Sequence, residues 1–141
     1  MAFENPSREQ IKDILANAGN IAVVGLSDNP DRTSHMVAKA MQSRGYRIIP
    51  VNPNAASILG ETSYASLSDI PEKVDIVNVF RRAEQVVPIA EEAVKIGAKV
   101  FWLQQDIINE EAAQVAIAGG VEVIMDRCIK VEDAILNPRN N

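Results

Sequence analysis

A chain of 141 residues suits one domain with a real core, spanning residues 1–141, and is too short for two. Hydrophobic residues make up 47% but aromatics only 4%, so the core must be aliphatic, as in strands covered on both faces. A net charge of -5 argues against a nonspecific nucleic-acid surface, while leaving room for a local basic pocket.

Ser7 and Gln10 form an S-x-x-Q capping box, and Ile11, Ile14, Leu15 and Ala18 follow at helical spacing. Gly19 is expected to end that helix in a left-handed cap. Ile21 to Gly25 is a short apolar run of buried-strand type, and Val37, Ala38, Ala40 and Met41 lie on a helix that stops before Gly45. Arg47 to Asn52 makes a second strand, where Pro50 must sit at a point whose ladder bond is dispensable.

The polar stretch Asn54 to Pro71 reads as a surface connection with a short turn of helix. Val74 to Phe80 is a third strand, and the helix after it reaches about Ile96, with Pro88 in its first turn. Ala98 to Leu103 is a fourth strand. Asn109 caps a helix whose first turn carries Glu110 and Glu111, the favourable charge for that end. Val121 to Met125 is a fifth strand, and Val131 to Leu136 a last short helix. Strands alternating with helices at these lengths predict parallel pairing through right-handed crossovers, hence a three-layer α/β domain with a mainly parallel five-stranded sheet.

Ligands of such sheets bind beyond the carboxyl ends of the strands. Those ends are Gly25-Leu26-Ser27, Val51-Asn52-Pro53, Val79-Phe80-Arg81-Arg82 and Trp102-Leu103-Gln104. Gly25 lets a ligand approach the backbone, and the helix beginning near Thr33–Ser34 aims free N–H groups at the same spot, which favours an anion. Arg32 adds a planar bidentate partner. Read plainly, Gly25 makes a tight turn and Ser34 caps a helix; both readings stand at this point. The loop is neither G-x-G-x-x-G nor G-x-x-x-x-G-K-[ST], which disfavours a Walker-type triphosphate site. The second strand ends in Asn52-Pro53, without the acid that reads the ribose hydroxyls of NAD. Phe80-Arg81-Arg82 sets two guanidinium groups beside an aromatic, suited to phosphate or a base, or else paired with Glu84 or Asp106 and solvent.

Taken in order, "VVGLS…R", "GYRIIPVNPN", "ILGETSYASLSDIPEKVDIVNVFRR", "GAKVFWLQQDIINEEAA" and "VIMDRCIKVE" resemble the stand-alone CoA-binding proteins. These are similar to the CoA-binding domain of succinyl-CoA synthetase α subunits and of ADP-forming acyl-CoA synthetases. The resemblance covers about Ile11 to Leu136. It implies a Rossmann-like domain that holds coenzyme A, or an acyl-CoA, across the strand ends. Carried over by position, Gly25, Leu26 and Ser27 line the first loop, with Arg32 near the phosphates. Val51, Asn52 and Pro53 edge the nucleotide half, Val79, Phe80 and Arg81 meet the adenine or pantetheine, and Trp102 and Gln104 close the far side. Leu26, where small residues are common, is a departure expected to narrow the pocket mouth.

The synthetases phosphorylate a histidine on a separate domain, for which this chain has no place. His35, the one histidine, lies in the first turn of a helix with no acid–base partner adjacent in sequence and is expected to meet an anion or solvent. Cys128 reads first as a small buried filler after the last strand; the alternative, beside Arg127 and Lys130, is a reactive thiol able to form a mixed disulfide with CoA. One histidine and one cysteine leave too few ligands for zinc, so no metal is expected. The sole cysteine excludes an internal disulfide, nothing resembles a secretion signal, and no apolar run approaches the roughly 18–20 residues of a membrane span. The expectation is therefore a cytoplasmic, non-catalytic CoA-binding carrier, sensor or regulatory module. An enzyme acting on acyl-CoA or another nucleotide-linked substrate, with a site shared in a dimer, is the alternative. A degenerate fold kept as an interaction module is a third reading. A homodimer or another protein partner stays open.

Overall fold

The computed structural model describes residues 3–137. Strands β1 (Asn20–Val24), β2 (Arg47–Val51), β5 (Ile76–Val79), β6 (Val100–Leu103) and β7 (Glu122–Ile124) form one parallel sheet in the order β2-β1-β5-β6-β7. Between β2 and β5 lies a two-stranded antiparallel hairpin, β3 (Ser57–Ile58) and β4 (Glu61–Thr62), followed by a turn of 3-10 helix. The sequence pattern had no signal for that hairpin, because two-residue strands carry no periodicity.

Side chains alternate across each strand and supply two cores. Ile21, Val23, Ile48, Ile76, Val100, Trp102 and Ile124 pack under helices α1 (Arg8–Asn17), α2 (Thr33–Ser43) and α5 (Ile129–Leu136). Ala22, Val24, Ile49, Val77, Val79, Phe101 and Val123 face α3 (Val87–Lys95) and α4 (Glu110–Ala118). The expected three-layer, Rossmann-like α/β fold is what forms. Pro50 sits on the edge strand; its carbonyl accepts from the Tyr64 N–H at 3.0 Å, so this residue turns outward and forfeits no bond to β1.

The helix signals hold in detail. Ser7 and Gln10 form the reciprocal capping box, Asn109 Oδ1 accepts from the Ala112 N–H at 2.9 Å, and Pro88 falls in the first turn of α3. Gly19 does not form the expected left-handed cap. α1 ends at Ala18 in extended backbone, and the Gly19 and Asn20 N–H groups donate to Asp75 Oδ2 at 2.8 and 2.9 Å. A carboxylate just before β5, distant in sequence, replaces the local cap. Burial pushes the Asp75 carboxyl up, but those two N–H groups and Lys99 outweigh it and hold it below the usual range.

Across the helical layer, Asp133 is fully buried and met by Tyr46 Oη, Arg44 Nη1 at 3.2 Å and Asn137 Nδ2 at 2.9 Å. This network ties α5 to the turn after α2. No helix among the described residues is long and apolar enough to cross a membrane.

Candidate functional site

From β1 the chain passes through α2 to β2 on one side, then crosses back to β5 on the other. The direction of winding reverses between β1 and β5, which is where ligands of open parallel sheets bind. A cleft of about 650 Å³ opens there, walled by Gly25, Ser27, Arg32, Asn52, Phe80 and Arg81.

Gly25 has φ +85, and a Cβ placed on it would stand 2.5 Å from the Phe80 carbonyl oxygen and 3.0 Å from Arg81 Cδ. β1 and β5 therefore close together at their tips only because this residue has no side chain, and the stem of Arg81 lies across it. The first loop is braced from several directions. Ser27 N–H donates to Ser34 Oγ at 3.0 Å, Asn52 Nδ2 donates to the Leu26 carbonyl at 2.9 Å, and Asn52 Oδ1 accepts from the Asn54 N–H at 2.8 Å. Both ends of the Asn52 amide thus bond the protein. It sets the spacing between the β1 and β2 loops, with one amide N–H and one oxygen lone pair left beside the cleft.

α2 starts at Arg32 with no side-chain cap, unlike α1 and α4. Its first N–H groups, at Thr33 and Ser34, border the cleft and need an outside acceptor. Arg32, Arg81 and Arg82 are exposed and join none of the ion pairs among the described residues, so the pairing of Arg81 or Arg82 with Glu84 or Asp106 does not occur. Asp31 shares the same rim and tempers the positive field.

The residues named from sequence divide by the strand period. Gly25, Ser27, Arg32, Asn52, Pro53, Phe80 and Arg81 come together in the cleft. Leu26, Val51, Val79 and Trp102 do not reach it with their side chains; all four are buried in the core. Leu26 in particular turns inward and cannot narrow the mouth. Trp102 Nε1 donates to the Arg127 carbonyl at 2.9 Å, so the indole anchors the β7 loop. His35 also departs from expectation. It is 8% exposed, and its Nδ1 hydrogen-bonds the Ser27 carbonyl at 2.9 Å, which makes it a further brace of the first loop.

A second space of about 350 Å³ continues from the first past Thr33, Phe80 and Arg81 to Gln104 and Cys128. Sequence reasoning placed Gln104 here but took Cys128 first for buried filler; the thiol is only partly buried and lines this extension. The signal that could have found it is its place directly after the fifth strand, at the same edge as the other loops. Among the described residues no group of three His, Cys, Asp or Glu is placed to hold a metal ion.

The sequence model for the CoA binding domain matches residues 19–134, all five sheet strands included. The chain belongs to the CoA-binding domain family. The resemblance drawn from its motifs is thereby confirmed. A Bacillus subtilis member, uncharacterized protein YneT, is 56% identical over 133 residues, covering 94% of this chain and 98% of that protein. The solved structure of a hypothetical protein from Pyrococcus horikoshii OT3 superposes with a TM-score of 0.90 at 35% identity, covering 96% of this chain and 99% of that one. The ADP-forming acetate–CoA ligase II of Archaeoglobus fulgidus is 32% identical over 94 residues, which are 65% of this chain but 14% of the ligase. This CoA-binding family member therefore corresponds to a small part of the ligase's length.

Proposed function

We propose that the cleft holds coenzyme A or an acyl-CoA, and that the protein is a non-catalytic carrier, sensor or regulatory module. The observation that carries this reading is the convergence, in one cleft, of an uncapped helix N-terminus, two unpaired arginines and a glycine that admits close approach. A pyrophosphate suits the α2 N–H groups. Arg32 and Arg81 supply bidentate partners for it and for a ribose phosphate. The tip of β2 offers an amide held by the protein at both ends, and no carboxylate that would bind a ribose diol. The partly buried ring of Phe80 then lies along the way to the second space, whose walls mix the apolar Phe80 and Ile107 with the polar Thr33, Gln104 and Gln105, a lining suited to the amide-bearing pantetheine arm.

Calorimetry of the purified protein with CoA, NAD and ATP tests this. Binding of CoA in clear preference to the other two is expected, with no loss of acyl-CoA on prolonged incubation. Preference for NAD or ATP, or no binding of any, overturns the CoA assignment. Turnover of an acyl-CoA would replace the carrier reading with an enzymatic one.

A further inference from the structure

The segment ahead of α1 reaches the end of the edge strand β7, 120 residues away in sequence. Asn5 meets Met125 there twice. Its Nδ2 donates to the Met125 carbonyl and its Oδ1 accepts from the Met125 N–H, both at 2.8 Å. One side-chain amide thus does for Met125 what a neighbouring strand would do. Met125 is 3% exposed, so without Asn5 both of its backbone groups would lose their partners in a buried place.

Beyond Met125 the hydrogen bonds continue into the crevice. Asp126 Oδ1 accepts from the Asp106 N–H at 2.7 Å, and the Arg127 carbonyl accepts from Trp102 Nε1. Asp106 is the third residue of a tight turn in which the Ile107 N–H donates to the Gln104 carbonyl at 3.0 Å, and its φ of +70 is one that favours glycine. Asp126 is left-handed as well, at φ +59. Two aspartates strained in facing loops keep those conformations only while their surroundings fix them. Gln104, Asp106, Ile107 and Cys128, from these same two loops, wall the far space of the crevice.

Resting on the CoA reading of the cleft, we infer that Asn5 is a positioning residue for the pantetheine half of the site: by clamping Met125 it holds the Asp126–Asp106 contact, and with it the walls along which the arm runs. Its effect is selective. The nucleotide half lies against the loops after β1, β2 and β5, to none of which Asn5 is hydrogen-bonded. A residue near the start of the chain thereby sets how much the arm adds to affinity over the nucleotide alone.

Calorimetry with CoA and with 3′-phospho-ADP, its nucleotide half, tests this on the full chain. Wild type should bind CoA more tightly than the nucleotide. Asn5→Ala should weaken CoA on the order of tenfold, as expected for two ordinary hydrogen bonds, and leave 3′-phospho-ADP within about twofold. Asp126→Gly removes the acceptor while relieving the positive φ, and should show the same selective loss. The double variant should lose little more than the worse single one, since either break frees the same walls. Glu110→Ala releases only the Phe3 N–H, bonded at 2.9 Å to Glu110 Oε1, and should leave both affinities unchanged. Equal weakening of both ligands in Asn5→Ala, unchanged CoA affinity, additive losses in the double variant, or a matching loss in Glu110→Ala would overturn the positioning role and leave the CoA reading intact. So would wild type binding the two ligands equally. Wild type that does not bind CoA overturns the CoA reading itself, and the role of Asn5 falls with it.

Discussion

Gly25→Ala tests whether the cleft depends on the close approach of β1 and β5. Two costs apply. A side chain at φ +85 loses about 1–2 kcal/mol from left-handed backbone strain. The new methyl would also lie 2.5 Å from the Phe80 carbonyl oxygen, and backbone cannot swing aside as a side-chain end does. Forcing it in costs a further ~1–3 kcal/mol. Gly60→Ala is the matched control. Gly60 has φ +76, at the tip of the small hairpin, and a Cβ there meets nothing within 4 Å. It carries the strain without the collision. Urea denaturation should therefore show Gly60→Ala lowering stability by about 1 kcal/mol and Gly25→Ala by about 2–5 kcal/mol, with m unchanged. CoA titration should separate them further, since a displaced Phe80–Arg81 backbone distorts the cleft while the hairpin tip leaves it alone. Equal stability losses within about 0.5 kcal/mol, or intact CoA binding by Gly25→Ala, would refute the reasoning.

Arg32→Ala and Arg81→Ala should each weaken CoA binding by about 1.5–3 kcal/mol, as expected for hydrogen bonds to a charged group, with calorimetry as the measure; unchanged affinity in both would reject the phosphate pose. Tyr46→Phe removes the hydroxyl that donates to the buried Asp133 and accepts from Asn137 Nδ2 at 2.8 Å, so denaturation should show a loss of about 1–3 kcal/mol. Asp75 has a folded pKa below its unfolded value, so its stabilising share is full above pH ~4 and is lost as pH falls through the folded value. Asp75→Asn should accordingly flatten the acid limb of the stability–pH curve below pH ~4, by less than about 1 kcal/mol because the side chain is partly solvated. A wild-type acid limb in the variant would contradict that.

Much of the fold was written in local pattern. The Ser7–Gln10 box, the Asn109 cap, Pro88 in a first turn and the apolar five-residue runs each depend on neighbours within one helical turn or one strand. Such signals survive in any context, and they located the strand ends where the cleft lies. The family was legible too, because the motifs run in order along the chain.

What the sequence could not set was the direction of individual side chains at those ends. Leu26, Val51, Val79 and Trp102 stand within two residues of the cleft yet point into the core, while Gly25, Asn52, Phe80 and Arg81 line it. That partition follows from the parallel register of β1 with β2 and β5, which pairs residues some twenty-five to fifty-five positions apart. The same non-local pairing brought the Asp75 carboxylate to the Gly19 N–H, whereas His35 braces the first loop through Ser27, only eight residues back. It also brought Cys128, from beyond the far edge strand, to the end of the crevice. Local propensity is a matter of a few adjacent dihedrals and can be read from neighbours. A cleft between strand tips exists only once distant segments are packed, so its walls are a property of the tertiary fold.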